Sequence, residues 1–220
     1  MNYSISEENY IKAIFRLQQQ AGTVTTNELA RELQTRPASV TDMMKKLKAK
    51  KLLYYQPYQG FRLSPVGGKV ARMIVRRHRL WEYFLAEKLK FTWDEVHEVA
   101  EELEHVSNTN LIDKLDAFLG FPRVDPHGDP IPDAHGRIKT IRNTCLTQWP
   151  LNRVAIVSSV KDQSSSLLEL LEHNKISIGS RLEIKKRFEF DGSLELKTGR
   201  HPVFTISRQL AETVFVKPAL

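Results

Sequence analysis

The pattern of apolar residues changes near residue 150, and this change limits the possible folds more than any other feature of the sequence. Before it, apolar residues recur at helical spacing, as in Tyr10, Ile11 and Ile14. From about Leu151, short strand-like runs alternate with polar turns. The sequence therefore predicts a mainly α-helical chain with a small β part. The predicted strands are 154–157, 181–184, 193–196, 203–206 and 214–216, with a small helix at 165–173. Five such strands in about 70 residues favour a small barrel.

The first 64 residues have the pattern of a winged helix-turn-helix. Ser4 with Glu7 and Thr25 with Glu28 have the form of capping boxes, which begin helices. Pro37 suits the first turn of a third helix. Two strand-like runs, 52–56 and 61–63, then flank a turn that contains Tyr58. In such a motif the second helix of the pair enters the major groove of DNA.

The predicted recognition helix and wing carry side chains suited to DNA. Small polar groups in the first turn of the helix can contact base edges or phosphates, and the basic residues neutralise phosphates. Tyr58, at the tip of the hairpin, is expected to pack on the DNA backbone. The candidate DNA-binding residues are Arg36, Pro37, Ser39, Thr41, Asp42, Lys45, Lys46 and Arg62.

Charge is unevenly distributed along the chain, and the distribution suggests two kinds of partner. The formal net charge is +7, from 33 Lys and Arg against 26 Asp and Glu. Residues 1–80 carry a net +10, residues 81–136 a net −9 and residues 137–220 a net +6. A basic segment indicates an anionic partner such as nucleic acid, and the acidic segment that follows indicates a cation.

The acidic segment holds imidazoles and carboxylates at helical spacing. On a helix, residues three and four apart share a face, so His97, Glu101, Glu104 and His105 are expected to lie on one side. Upstream, a His78/Glu82 pair stands at the same spacing on the preceding long helix. Such side chains suit Mn²⁺, Fe²⁺ and Zn²⁺. The stretch beginning His97-Glu98 differs from the zinc-peptidase motif H-E-x-x-H at Glu101, which disfavours a hydrolytic zinc site.

Three motifs and their order resemble the diphtheria toxin repressor (DtxR/MntR) family of metal-dependent transcriptional repressors. They are Arg-His-Arg-Leu-Trp-Glu at 77–82, Val-His-Glu-x-x-Glu-x-x-Glu-His at 96–105 and His-Gly-Asp-Pro-Ile-Pro at 127–132. The resemblance extends over essentially the whole chain. It implies a winged helix-turn-helix DNA-binding domain at 1–64, a helical dimerisation and metal-binding domain at 65–140, and an SH3-like (FeoA-like) domain at 150–220.

The resemblance also implies two metal sites. One would use Glu104 and His105 with Glu101, and the other His78, Glu82 and His97. Many iron-responsive members have Cys where this chain has Glu101, whereas manganese-responsive members have Glu there.

The first helix departs from the family pattern in two places. Asn9 stands where members supply a Met or Asp ligand, and Lys12 stands where manganese-type members carry a Glu. Protonated lysine cannot ligate a metal, so Mn²⁺ and Fe²⁺ both stay open as the cofactor. Zn²⁺ or Co²⁺ is expected to substitute in vitro. The stretch near Ser158–Lys161, where some members draw ligands from the barrel, shows no obvious carboxylate.

The expected function is that of a homodimeric repressor, not an enzyme, which binds metal and then a palindromic DNA operator to control metal-homeostasis genes. A winged-helix regulator of a small organic ligand, or a metal-dependent hydrolase, stays as an alternative. The single cysteine, Cys145, excludes an intramolecular disulfide. With no secretory signal pattern at the amino terminus and no apolar run long enough for a membrane span, we expect a cytoplasmic protein.

Overall fold

The first two helices begin where their capping boxes predict. In the computed structural model, α1 is Ile5–Ala21 and α2 is Thr26–Glu32. The Ser4 hydroxyl accepts a hydrogen bond from the Glu7 amide at 3.3 Å, and the Glu7 carboxylate accepts one from the Ser4 amide at 3.0 Å. Thr25 and Glu28 form the same reciprocal pair before α2. These bonds satisfy amides that a helix start otherwise leaves unpaired.

The third helix and the hairpin complete the winged helix-turn-helix. Helix α3 is Pro37–Ala49, and strands β1 (Leu53–Gln56) and β2 (Gly60–Leu63) pair antiparallel. An isolated bridge between Val24 and Phe61 adds a third short edge to this wing. The predicted turn, with Tyr58 in it, lies at residues 57–59, outside the described residues.

Three further helices follow, and the second of them is shorter than expected. They are α4 (Pro65–Leu89), α5 (Val96–Leu103) and α6 (Thr109–Phe118). Helical spacing had placed His97, Glu101, Glu104 and His105 on one helix, whereas Glu104 and His105 lie in a turn after α5. Within the described residues, we find no helix with both the length and the apolar character needed to cross a bilayer.

The last part of the chain is the predicted small β domain. Its strands are β3 (Thr144–Cys145), β4 (Val154–Val160), β5 (Arg181–Arg187), β6 (Leu194–Thr198), β7 (Phe204–Ile206) and β8 (Val214–Pro218). They form one antiparallel sheet in the order β3-β8-β4-β5-β6-β7. A 3₁₀ turn (Leu146–Gln148) and helices α7 (Ser165–His173) and α8 (Arg208–Thr213) connect them. The sequence had predicted five of these strands and α7.

The described residues are 3–56, 60–93, 95–139, 143–161, 164–199 and 202–219, without the side chains of Gln20 and Gln56. The chain forms two compact units, and the division falls inside α4 and inside α5. The first unit is Met1–His78, Glu101–Ala117 and Pro132–Ile138; the second is Arg79–Ala100, Phe118–Ile131 and Lys139–Leu220. Each has its own apolar core. The three-domain boundaries expected from the sequence stay a prediction.

In the second unit, the Pro-rich loop after α6 rests directly on strand β4. The Val160 amide donates a hydrogen bond to the His127 carbonyl at 3.2 Å. Gly128 has a φ of +87°, and a Cβ on it would stand 1.9 Å from the Ser158 carbonyl oxygen. Only glycine tolerates both this conformation and this approach of two backbones. Gly128 therefore holds Asp125 and His127 in a fixed place against the sheet.

Replacing Gly128 should destabilise the protein through this contact. We expect Gly128→Ala to lower the free energy of unfolding by about 3 kcal/mol, because a left-handed residue costs roughly 1–2 kcal/mol and overpacking roughly 1–3 kcal/mol. Gly179 is the matched control: its φ is +86°, but no atom lies within 4 Å of an added Cβ. Thermal and urea unfolding of both variants measures the difference. An equal loss of unfolding free energy in the two variants would contradict the close approach of the Gly128 and Ser158 backbones.

Candidate metal centre and nucleic-acid interface

Helix α3 presents the predicted DNA-binding side chains on an exposed surface of the first unit. Arg62 lies on β2 of the wing, and all of the predicted DNA-binding residues are exposed. The Thr41 hydroxyl donates a hydrogen bond to the Pro37 carbonyl at 3.0 Å, and Lys45 lies 3.2 Å from Asp42. These short contacts within one helix orient the side chains without covering them. Their roles in DNA binding stay predictions.

The wing carries cations held over aromatic rings. The Arg62 guanidinium lies 5.3 Å from the centre of the Tyr54 ring, and the Lys48 ammonium lies 5.7 Å from that of Tyr55. Both tyrosines are exposed. Cation–π contact restrains the long basic side chains while leaving their charge accessible.

The first group of candidate ligands lies in the first unit, around a fully buried carboxylate. We call it the Glu104 cluster, and it consists of Glu8, Lys12, Arg77, His78, Glu101, Glu104 and His105. The His78 Nδ1 atom lies 2.8 Å from Glu104 Oε2, and His105 Nδ1 lies 2.7 Å from Glu8 Oε2. The predicted ligands of this cluster thus lie close together, but their ligand atoms contact other side chains of the protein.

Lys12, which the family pattern made unexpected, lies in the middle of the Glu104 cluster. Its Nζ atom donates to Glu101 Oε1 at 2.6 Å and to the two Glu104 oxygens at 2.7 and 2.8 Å. Burial by itself raises the pKa of Glu104, but the hydrogen bond from His78 and the positive charge of Lys12 outweigh burial and lower that pKa overall. The carboxylate is therefore held ionised by cationic and polar groups of the chain itself.

Arg77 contacts the backbone of the same cluster just after α5. The Arg77 Nε group donates to the Glu104 carbonyl at 2.6 Å, and its Nη2 group donates to Glu8 at 2.7 Å. The Val106 amide bonds to Leu103 three residues back, as in a tightened last turn. Helix α5 ends at Leu103, so Glu104 and His105 lie just beyond it, and their place on the helical face of His97 stays a prediction.

Asn9, the predicted ligand from α1, has a side-chain oxygen that is buried. This Oδ1 atom accepts no hydrogen bond from the part of the chain that the structure describes. Its role as a ligand stays a prediction.

A second group of candidate ligands lies in the second unit, and we call it the Glu82 cluster: Glu82, His97, Asp125 and His127. Ligand atoms of Glu82, Asp125 and His127 all lie within 4.8 Å of one another. These three residues are 0%, 2% and 0% exposed. The His97 Nδ1 atom lies 3.2 Å from Glu82 Oε1, so that this imidazole borders the group.

The His127 ring is oriented as a ligand requires. Its Nε2 atom lies 2.8 Å from the Trp93 carbonyl oxygen, which can only accept, so Nε2 carries the proton of the neutral ring. In this tautomer Nδ1 carries the lone pair of the ring, and the Nδ1 atom lies 3.8 Å from Glu82 Oε1. It accepts no hydrogen bond from any described residue. A backbone carbonyl that fixes the tautomer of an imidazole is the usual arrangement around metal-binding histidines.

Asp125 divides its two oxygens between the loop and the cluster. Oδ1 accepts the amides of His127 and Asp129, both at 2.9 Å, and Oδ2 lies 3.3 Å from Arg79 Nε. Burial, followed by the nearby charges of Glu82 and Asp129, raises the pKa of Asp125 well above its usual value, against the opposing effect of Arg79. Two buried carboxylates in contact with a lone-pair nitrogen are an arrangement that a cation stabilises.

Sequence reasoning missed Asp125 and His127 as candidate ligands. The motif at 127–132 supported the resemblance, but its histidine received no role because it lies in a loop without helical periodicity. The signal that was present is a His and an Asp between prolines, in a segment too rigid to move away. His78, Glu82 and His97 remain predicted ligands of one site.

Three family models match successive parts of the chain. An N-terminal DNA-binding domain of iron-dependent repressors matches residues 3–61, their metal-binding and dimerisation domain matches 64–133, and the FeoA domain matches 144–218. These matches confirm the expected classes of domain. They favour neither alternative function, the metal-dependent hydrolase or the regulator of a small organic ligand.

Relatives of known role agree with the family models. The transcriptional regulator MntR of Geobacillus thermodenitrificans is 30% identical over 138 residues, 63% of this chain and 91% of that protein. The MntR of Geobacillus kaustophilus is 34% identical over 120 residues, 54% of this chain and 84% of that protein.

Solved structures of repressors match nearly the whole chain. A manganese-dependent transcriptional repressor in complex with manganese superposes with a TM-score of 0.85 at 31% identity, covering 97% of this chain and 100% of that one. ScaR with bound Cd²⁺ gives 0.80 at 30% identity, covering 97% and 99%. The chain therefore belongs to the diphtheria toxin repressor family, whose members are homodimeric, metal-dependent repressors of transcription that bind divalent metal and operator DNA.

Proposed function

We propose that this repressor binds Mn²⁺ or Fe²⁺ at the Glu82 cluster and then holds a palindromic operator through α3 and the wing. The proposal rests on one observation: the ligand atoms of Glu82, Asp125 and His127 lie within 4.8 Å of one another, and all three residues are buried. Because such operators lie in chromosomal DNA and control metal-homeostasis genes, the protein acts in the cytoplasm.

The donor set favours Mn²⁺ or Fe²⁺ over softer ions. It offers carboxylate oxygens and imidazole nitrogens and no thiolate, and such ligands suit harder divalent ions. Cys145 lies apart on β3, where its Sγ atom is 3.1 Å from the Thr147 hydroxyl. The manganese named for one structural relative points in the same direction.

The chain prepares this site before an ion arrives. Trp93 fixes the His127 tautomer, and the amides of His127 and Asp129 hold Asp125 in place. Glu82, Asp125 and His127 would hold the ion, with His97 at the border. A bound divalent ion supplies positive charge that offsets the repulsion of the two buried carboxylates. Because the side chains are already buried and oriented, little ordering has to accompany binding.

Metal and DNA must favour each other if both bind the same conformation. In the dimer, two α3 helices read half-sites about 34 Å apart, one turn of DNA. Helix α6 supplies a surface suited to the dimer contact, since Leu111 and Phe118 are exposed at 40% and 65% and stand seven residues apart on it.

The first prediction concerns this coupling. Saturating Mn²⁺ or Fe²⁺ should raise affinity for operator DNA by roughly 5–150-fold, and operator should raise metal affinity by the same factor. Gel-shift titrations with metal and with chelator measure the first, and metal titration with and without operator measures the second. Equal operator affinity with and without metal would rule out the proposal.

The second prediction concerns the ligands. His127→Ala and Asp125→Asn should each weaken Mn²⁺ binding by at least about 10–100-fold, the loss typical even of residues that only support a metal ligand. His135, an exposed histidine eight positions beyond His127, is the control. Competition against a fluorescent chelator gives the affinities, and circular dichroism confirms the fold. Unchanged affinity in both variants would place the ion elsewhere.

The third prediction concerns the DNA surface. Lys46→Ala should weaken operator and non-specific DNA binding alike and lower the slope of log affinity against log salt by roughly 0.9 for each phosphate contact removed. Lys197→Ala, an exposed lysine of β6, serves as the charge-matched control. Fluorescence anisotropy at several salt concentrations measures both slopes. The same slope in Lys46→Ala and wild type would remove Lys46 from the interface.

A further inference from the structure

We propose that the Lys12 ammonium is the resident cation of the Glu104 cluster, standing where the family pattern places a divalent ion. Each chain would then bind one ion, at the Glu82 cluster. This inference rests on the proposed function, since it assigns the metal response to one of the two predicted sites.

The hydrogen bonds of Lys12 use its whole donor capacity. An ammonium has three N–H groups, and Nζ makes three contacts, at 2.6, 2.7 and 2.8 Å, with Glu101 Oε1 and the two oxygens of Glu104. Glu104 Oε2 also lies 2.8 Å from His78 Nδ1. Both oxygens of the central carboxylate thus already contact groups of the chain.

Charge in the cluster is nearly balanced without a metal. Three carboxylates, those of Glu8, Glu101 and Glu104, face two permanent cations, Lys12 and Arg77. The site therefore carries about one net negative charge if both histidines are neutral. With a Glu at position 12, as in manganese-type members, the same site would carry three. The strong field that attracts a divalent ion is absent because the chain has already supplied a cation.

Burial makes Lys12 hard to displace. The Glu104 side chain is 0% exposed and that of Lys12 only 20% exposed. An incoming ion would have to break this pair and leave the ammonium beside a second, doubly charged cation. Removing one partner of a buried ion pair is strongly unfavourable. The predicted trio Glu101, Glu104 and His105 thus does not fit a divalent ion while Lys12 is present.

Lys12 also gives α1 a connection that does not depend on metal. Helix α1 belongs to the DNA-binding part, and Lys12 and Glu8 join it to Glu101, Glu104, His105 and Arg77 within the first unit. In the resemblance, a metal ion makes this connection. Here the α1 contact is permanent, and of the two clusters the Glu82 cluster is left to report metal concentration.

Counting ions per chain tests the inference without reference to DNA binding. Equilibrium dialysis against Mn²⁺, followed by elemental analysis, should give one ion per chain for wild type. Asp125→Asn should lose that ion, and Glu104→Gln should keep it with less than about a threefold change in affinity. Two ions per wild-type chain, or loss of the single ion in Glu104→Gln but not in Asp125→Asn, would overturn the role of Lys12. No bound ion at all would contradict the proposed function as well.

A change at position 12 gives the complementary result. Lys12→Glu should create a second Mn²⁺ site, raising the count to two ions per chain. Lys69→Glu, at an exposed position of α4, makes the same charge change as a control and should leave the count at one. Circular dichroism checks the fold of each variant. If Lys12→Glu does not fold, the wild-type and Glu104→Gln counts still decide. A folded Lys12→Glu that binds one ion would overturn the inference.

Discussion

A buried carboxylate requires a positive charge or a set of hydrogen bonds, and the chain meets this constraint in two different ways. In the Glu104 cluster the compensation comes from the chain, through Lys12 and His78. In the Glu82 cluster, Asp125 lies 3.3 Å from Arg79, yet burial and nearby negative charges still raise the pKa of Asp125. The charge of Glu104 is thus compensated by the chain itself, whereas a cation from solution would stabilise the ionised carboxylates of the Glu82 cluster.

Much of the fold could be predicted because it depends on local chemistry. The Ser4 and Thr25 capping boxes begin α1 and α2 as expected, and the change of pattern near residue 150 separates the helices from the sheet. The contact between Arg77 and the Glu104 carbonyl could not be predicted, because 27 positions separate the two residues in the chain. Helical spacing alone cannot show which carbonyl a distant guanidinium will occupy.

The candidate site was predictable where the ligands share a helix and not where they come from a loop. Glu82 and His97 were predicted from helical spacing, whereas Asp125 and His127 depend on a backbone path that periodicity does not describe. Lys12 was noticed as a departure from the family pattern. Its three hydrogen bonds to Glu101 and Glu104 required coordinates, since 89 and 92 positions separate the partners.

The two clusters divide the work that a metal site performs in such a regulator. Holding α1 in place requires only a fixed positive charge, and an ammonium on the chain supplies it at every metal concentration. Responding to metal requires a site whose free energy changes when an ion binds. The Glu82 cluster offers this because burial and the nearby charges of Glu82 and Asp129 raise the pKa of Asp125. A permanent cation at the first cluster lowers the number of ions needed for a response. Metal-dependent DNA binding should then follow a single binding event per chain, with any steeper response arising from the dimer.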